Sequence, residues 1–247
     1  MDKSKLKIYG WIPLCMVGSM VAMYFCGIEP LQQIIMPEIE GMYGSSKREF
    51  GLLENAQNVL LMIMIGICIK GFKIKPEVLW KVALTGLACF TLLVFLEEID
   101  YGLHYIELIR GVKAEDAVDI RNFHNAAEGR TNTIKQIVDL GMTIFFVVLP
   151  FVFRKSENKW IRHFTADRYS VVTLLCAVLV SKTAHFLNDM SWGLIPDNNN
   201  TSEFRELFTY YLCMLYYWEV IVKRKWGVTD DGNTEVEVVV GDEEVEA

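Results

Sequence analysis

The feature that most constrains this chain is a series of six apolar stretches, about 8–28, 51–69, 78–96, 134–153, 169–186 and 207–222. A helix crossing a bilayer core needs about 20 mostly apolar residues, and these stretches are of that order. Backbone in lipid must satisfy its own hydrogen bonds, so such stretches predict helices rather than an open sheet. The expected fold class is all-α, an integral membrane bundle of six transmembrane helices within residues 1–225. The first stretch follows Lys3, Lys5 and Lys7 as a signal peptide would. Its apolar core is too long for one and no small-residue cleavage site follows, so it reads as an uncleaved anchor.

Basic residues fix an orientation. Lys3/Lys5/Lys7, Lys70/Lys73/Lys75, the Arg154–Arg168 segment and Lys223/Arg224/Lys225 alternate between the stretches as six spans require. The positive-inside rule puts these clusters and both termini in the cytoplasm. The loops after the first, third and fifth spans then face outward, the longest being 98–133, where a further short helix is expected at Ala114–Glu128. The expected location is the cell membrane, as a multi-pass protein in contact with the lipid bilayer.

At 52% hydrophobic residues the chain is rich for a soluble domain. No long basic patch with interleaved aromatics occurs, so no nucleic-acid partner is expected. The six cysteines each lie in an apolar run without a C-x-x-C pair, and read as small packing residues. Residues 226–247 hold eight acids and no base, and are expected to be disordered.

Local signals refine the boundaries. Glu29-Pro30 and Pro37 are expected to stop helices, leaving Leu31–Met36 at the membrane interface. Ser46-Lys47-Arg48-Glu49 matches a capping box that would start the second helix. Pro150 predicts a kink near the inner end of the fourth span. His163, among arginines, is expected to be solvated.

Chemistry gathers after Leu96, in Glu97-Glu98-Ile99-Asp100-Tyr101-Gly102-Leu103-His104 and on to Asn122-Phe123-His124-Asn125. If the third helix continues, Glu97, Asp100, His104 and Glu107 share one stripe. His104, His124 and His185 fall at expected outer ends, each with an acid four residues away: Asp100, Glu128 and Asp189. Imidazole and carboxylate ligate zinc, manganese and iron. The expected metal ligands for such a divalent ion are therefore His104, His124, His185, Glu97 and Glu98. The candidate catalytic groups are Glu97, Glu98 and Glu54, supported by Asn58, Asn122, Asn125 and Asp189. A bound ion would offset repulsion between Glu97 and Glu98 and acidify a water, with a remaining carboxylate as general base. Glu54 can equally be a structural carboxylate paired with Lys135 or Asn58.

The block Glu97-Glu98-Ile99-x-Tyr101-Gly102, followed by Asn122-x-His124-Asn125, resembles an E-E-I-x-[WY]-G … N-x-H-N pattern of a group of bacterial polytopic membrane proteins of uncharacterised function. Glu203-Phe204-Arg205-Glu206-Leu207 is similar to that group's acidic opening of its last helix, whereas Asp100 and His104 depart from its pattern. The resemblance implies a shared site at the outer face. Ser181-x-x-x-His185 is also similar to the S-x-x-x-H of the alkaline ceramidase and adiponectin-receptor superfamily, membrane hydrolases with a zinc site. That superfamily has seven spans and an H-x-x-x-H pair in its last helix, which this chain lacks.

Three readings of function stay open. The first is a membrane-embedded hydrolase or transferase acting on a lipid or lipid-linked substrate through the outer-face site. The second is an ion or small-solute transporter or channel, although the inner halves of the spans are nearly all apolar. The third is a non-catalytic subunit that docks a protein partner, or a second copy, through loop 98–133.

Overall fold

A computed structural model describes residues 2–37, 50–112, 130–153, 155–190 and 201–224. Among them the ordered elements are all helical. Helix α1 runs Lys3–Phe25, α2 Glu29–Ile35, α3 Leu52–Ile74 and α4 Val78–Glu98. A tight turn, Asp100–Gly102, leads into α5, Leu103–Arg110. Helix α6 comprises Arg130–Thr143, a widened turn Ile144–Val148, and Leu149–Val152. The short α7, Lys159–Phe164, precedes α8, Ser170–Met190, and α9 runs Glu203–Tyr217 and on through Trp218–Lys223. The capping box at 46–49, the helix at 114–128 and the tail lie outside the described residues.

Four helices, α1, α3, α4 and α8, are long and apolar enough to cross a membrane. The other two expected spans are also helical. The apolar part of α6 is shorter, Gln136–Val152, and α9 carries Glu203, Arg205, Glu206, Glu219 and Lys223. Packing explains why α9 tolerates them. Its Phe204, Leu207 and Phe208 pack with α1, α3 and α8; its Tyr217 and Ile221 pack with α3 and α4; its Leu212 packs with Tyr9, Phe146 and Tyr169. A helix in all three apolar clusters is surrounded by protein and need not be apolar all round. Conversely, α4 is the most apolar of the four spanning helices and the least buried, with Val78, Leu79, Val82 and Phe90 exposed.

Helix α2 ends at Ile35, before Pro37, as expected, but Pro30 departs from the sequence expectation. Pro30 does not stop a helix; it sits in the first turn of α2, where its missing N–H costs no hydrogen bond. Helix α2 packs Ile35 and Met36 into the main cluster and leaves Ile34 exposed. Pro13 and Pro150 each follow a π-type turn, Lys7–Trp11 and Ile144–Val148. A proline cannot donate to the carbonyl four residues before it and crowds it, and a widened turn relieves that clash. Those carbonyls belong to Tyr9 and Phe146. The Thr173 hydroxyl donates to Tyr9 O at 2.6 Å and the Ser170 hydroxyl to Phe146 O at 2.7 Å. One buried face of α8 thus serves two proline-bearing helices.

The bundle has a basic and an acidic end. At the basic end Lys5 pairs with Asp167, and Lys75 Nζ donates to Arg224 O at 2.9 Å. Arg224 donates to the carbonyls of His163 and Thr165 at 2.6 and 2.7 Å. His163 is buried against Trp80, not solvated. The starts of α3 and α9 and the end of α4 meet at the opposite, acidic end. All six cysteines are free thiols; Cys68 is buried, while Cys15, Cys26 and Cys89 lie on the exterior.

Candidate functional site

At the acidic end, polar side chains of three helices converge. Helix α3 begins after Gly51, whose carbonyl accepts from Asn55 Nδ2 at 2.7 Å. Its first two turns present Glu54, Gln57 and Asn58, all buried, within one helical turn of each other. Helix α9 presents Glu203, Glu206 and Tyr210 at i, i+3 and i+7, which is one face. Helix α4 ends in Glu97 and Glu98.

Two polar links tie these helices. Tyr210 donates its hydroxyl to Glu98 Oε1 at 2.6 Å, joining α9 to α4. Gln57 Nε2 donates to Glu203 O at 3.1 Å, with Glu203 Oε2 at 3.4 Å, joining α3 to α9. Glu98 accepts from the Tyr210 hydroxyl, and Glu206 and Glu203 precede Tyr210 by one and two turns on the same face of α9. Glu54 and Glu203 are themselves buried.

The bond to Glu203 also fixes the Gln57 amide. With Nε2 held by the α9 backbone, Oε1 has no hydrogen-bond partner among the described residues, and neither does Asn58 Oδ1. Gln57 is fully buried and Asn58 is 9% exposed. A buried amide oxygen left without a donor costs about 1–3 kcal/mol. Gln57 stands beside the Glu203 carboxylate, which supplies further acceptors rather than donors.

After Glu98 the chain departs from the expected continuous helix. Asp100, Tyr101 and Gly102 have φ of 46°, 52° and 81°, three left-handed residues in succession. Only the last is glycine, and a non-glycine residue in that region costs on the order of 1–2 kcal/mol. The stripe Glu97-Asp100-His104-Glu107 is therefore not a helical face. The corner instead buries Asp100 and swings α5 so that His104 and Glu107, one turn apart, are buried too. His104 lies against aromatic rings, Phe50 at 5.3 Å and Tyr105 at 4.1 Å between centroids. Tyr101 is exposed and donates to Glu97 at 2.5 Å, and this bond to a carboxylate raises the phenol's pKa above its ordinary value.

His185 and Asp189 are on the exposed side of α8. The His185 Nδ1 is 2.9 Å from the Thr201 hydroxyl. His124, Asn122 and Asn125 lie outside the described residues. Among the described residues no three His, Cys, Asp or Glu side chains converge as a metal-ligating set. Of the expected groups, the structure brings Glu98 onto α9 and buries Glu54 and Asn58 on α3. Sequence reasoning left Gln57, Glu203, Glu206 and Tyr210 out of the site. The available signal was their spacing on the first turns of two otherwise apolar helices.

Comparison with protein-family models, with curated proteins and with solved structures finds no match.

Proposed function

We propose that this is a multi-pass membrane protein of six spans, α1, α3, α4, α6, α8 and α9, with cytoplasmic termini. Its working site is the acidic cluster at the outer face, where it binds a positively charged ligand. The observation that carries this reading is the pair of links Tyr210–Glu98 and Gln57–Glu203, which tie the acidic end of α4 and the polar start of α3 to the acidic start of α9. Ionisable residues buried at the ends of apolar helices are costly and mark functional sites by default. Clustered carboxylates favour positive charge by the same electrostatics. The orientation is supported by the basic clusters at the opposite end.

Binding fits better than passage through the bundle. Beyond the cluster, the α4–α9 seam carries one further polar pair, Thr91 and Tyr217 at 3.2 Å. It then closes where Gly71 meets Leu84 and Ile221, so tightly that a methyl group on Gly71 would lie 2.6 Å from Ile221 Cγ2. An aqueous path would need polar lining there.

The test is the melting temperature of the purified full-length protein in detergent with a panel of metal ions, choline and ethanolamine. A saturable rise is expected for a cationic ligand, lost in the Glu54→Gln/Glu203→Gln double variant and kept in Asp189→Asn, an exposed acid. If no cation shifts melting, or the double variant responds as wild type does, the reading fails. Labelling of a Tyr101→Cys variant by a membrane-impermeant thiol reagent from the outside checks the orientation.

A further inference from the structure

We propose that the acidic site takes a hard divalent cation of the calcium type, held through oxygen by Gln57, Asn58, Glu54 and Glu203. The proposal rests on the reading of the cluster as a cation-binding site and names the ligand's class. It stands on the two buried amide oxygens rather than on the acids alone. Gln57 is completely buried, and its Nε2 is spent on Glu203 O, so a flip of the amide would break that bond. Its Oε1 is thereby presented as an acceptor with no partner among the described residues. Asn58 Oδ1, also without a partner there, belongs to the next residue of the same turn.

The ligand chemistry follows from the donor set. Amide and carboxylate oxygens are the ligands of hard cations, whereas zinc favours imidazole and thiolate. The first turns of α3 and of α9, Leu52–Asn58 and Glu203–Tyr210, contain no histidine and no cysteine. His104 is packed against Phe50 and Tyr105, and His185, the histidine beside the start of α9, has its Nδ1 at the Thr201 hydroxyl. Two amides and two carboxylates leave coordination positions for water. Calcium accepts such a flexible shell of six to eight oxygens more readily than magnesium does. A set of this composition also accounts for the absence of a three-acid cage among the described residues.

Terbium, a hard oxygen-seeking ion whose emission is sensitised by nearby aromatic rings, is the probe. Tyr210 is hydrogen-bonded into the cluster and can serve as the sensitiser. Full-length protein freed of metal by a chelator is titrated with Tb³⁺ under tyrosine excitation, then competed with Ca²⁺, Mg²⁺, Mn²⁺ and Zn²⁺. One saturable site per chain is expected, displaced by Ca²⁺ at lower concentration than by Mg²⁺ or Zn²⁺. Gln57→Met, which keeps the length and removes the oxygen, should weaken binding at least about tenfold, the lower end of the loss for even outer-shell support. Asn58→Leu should do the same. Gln57→Glu keeps the Oε1 acceptor but loses the Nε2 bond to Glu203 O, and should bind more tightly than Gln57→Met; the melting transition of each variant without metal separates a lost ligand from a lost fold. Unchanged affinity in all three variants overturns the proposal. Displacement by Zn²⁺ alone, or stabilisation by ammonium compounds without any metal, overturns it and leaves the cation-binding reading standing. No response to any cation removes both.

Discussion

The Ser170 hydroxyl lies 2.7 Å from the main-chain carbonyl of Phe146, the carbonyl that Pro150 cannot serve, and 2.5 Å from that of Asp167, so the two carbonyls share its one proton. The bond lies in the bundle interior, where Ser170 is 1% exposed. Three residues along the same face, the Thr173 hydroxyl donates to the Tyr9 carbonyl, which Pro13 cannot serve. The two contacts pin α1 and α6 to one helix at the sites where their own ladders are interrupted.

Ser170→Ala should therefore destabilise by about 1–2 kcal/mol, the usual range for a buried hydrogen bond with a partner left unsatisfied. Pro150→Ala restores a main-chain donor to Phe146. In that background Ser170→Ala should cost less, and the coupling is read from a double-mutant cycle of melting or denaturation midpoints in detergent. Purely additive effects would show that the hydroxyl acts independently of the proline.

At the acidic end, Tyr210→Phe should cost on the order of 1.5–3 kcal/mol, the range for hydrogen bonds to charged groups. Glu98→Gln keeps an acceptor for the phenol and should cost less than Glu98→Ala. The ranking of the three by thermal denaturation checks whether the link, rather than side-chain volume, holds α4 to α9.

His163 should make the protein sensitive to acid. Burial, then the charges of Lys75 and Arg224, hold its imidazole down at about 4, while an unfolded histidine titrates near 6.5. The unfolded chain then takes up the proton first. The stabilising contribution of the neutral ring is complete above pH 6.5 and is lost as pH falls toward 4. Its full size is on the order of 3 kcal/mol. His163→Phe keeps a ring against Trp80, and the difference in melting temperature between wild type and variant should change across that window and level off outside it.

Gly51→Ala should be among the most damaging small substitutions. A Cβ there would sit 2.2 Å from Ile35 O and 2.9 Å from Pro37 Cδ, so main chain rather than a flexible side chain must move. The loss expected is about 3 kcal/mol, the upper part of the overpacking range, by denaturation. A loss no larger than that of Gly66→Ala, where a Cβ meets nothing within 4 Å, would contradict the close packing of α2 on α3.

The helices were legible because lipid-length apolar runs admit few other structures. The boundaries of α3, α4 and α8 follow the runs within a few residues at most ends. Polar positions were harder to place, because helical spacing assumes that a helix continues. Asp100 and Tyr101 reverse the backbone hand after Glu98, and no local propensity of Asp or Tyr demands that. Tertiary packing of α5 overrides it. The expected cluster was drawn from residues at one end of the bundle without regard to which way each faces. His185 and Glu54 both lie toward the acidic end, but His185 is on the exposed side of α8 and Glu54 faces inward. The weight of α9 was missed for a similar reason. Its tyrosines and acids lower its apolarity, and its central position is a property of three-dimensional packing that hydropathy cannot encode.

The contact between Thr173 and Tyr9 bears on the order of biogenesis. The two residues are 164 positions apart. At a synthesis rate of about 5–20 residues per second, the Tyr9 carbonyl exists for roughly ten seconds or more before its hydroxyl partner leaves the ribosome. During that interval α1 cannot be fully surrounded by hydrocarbon on that side without stranding the group. Helix α1 is thus expected to keep that carbonyl in a polar setting until α8 has been made and can cover it.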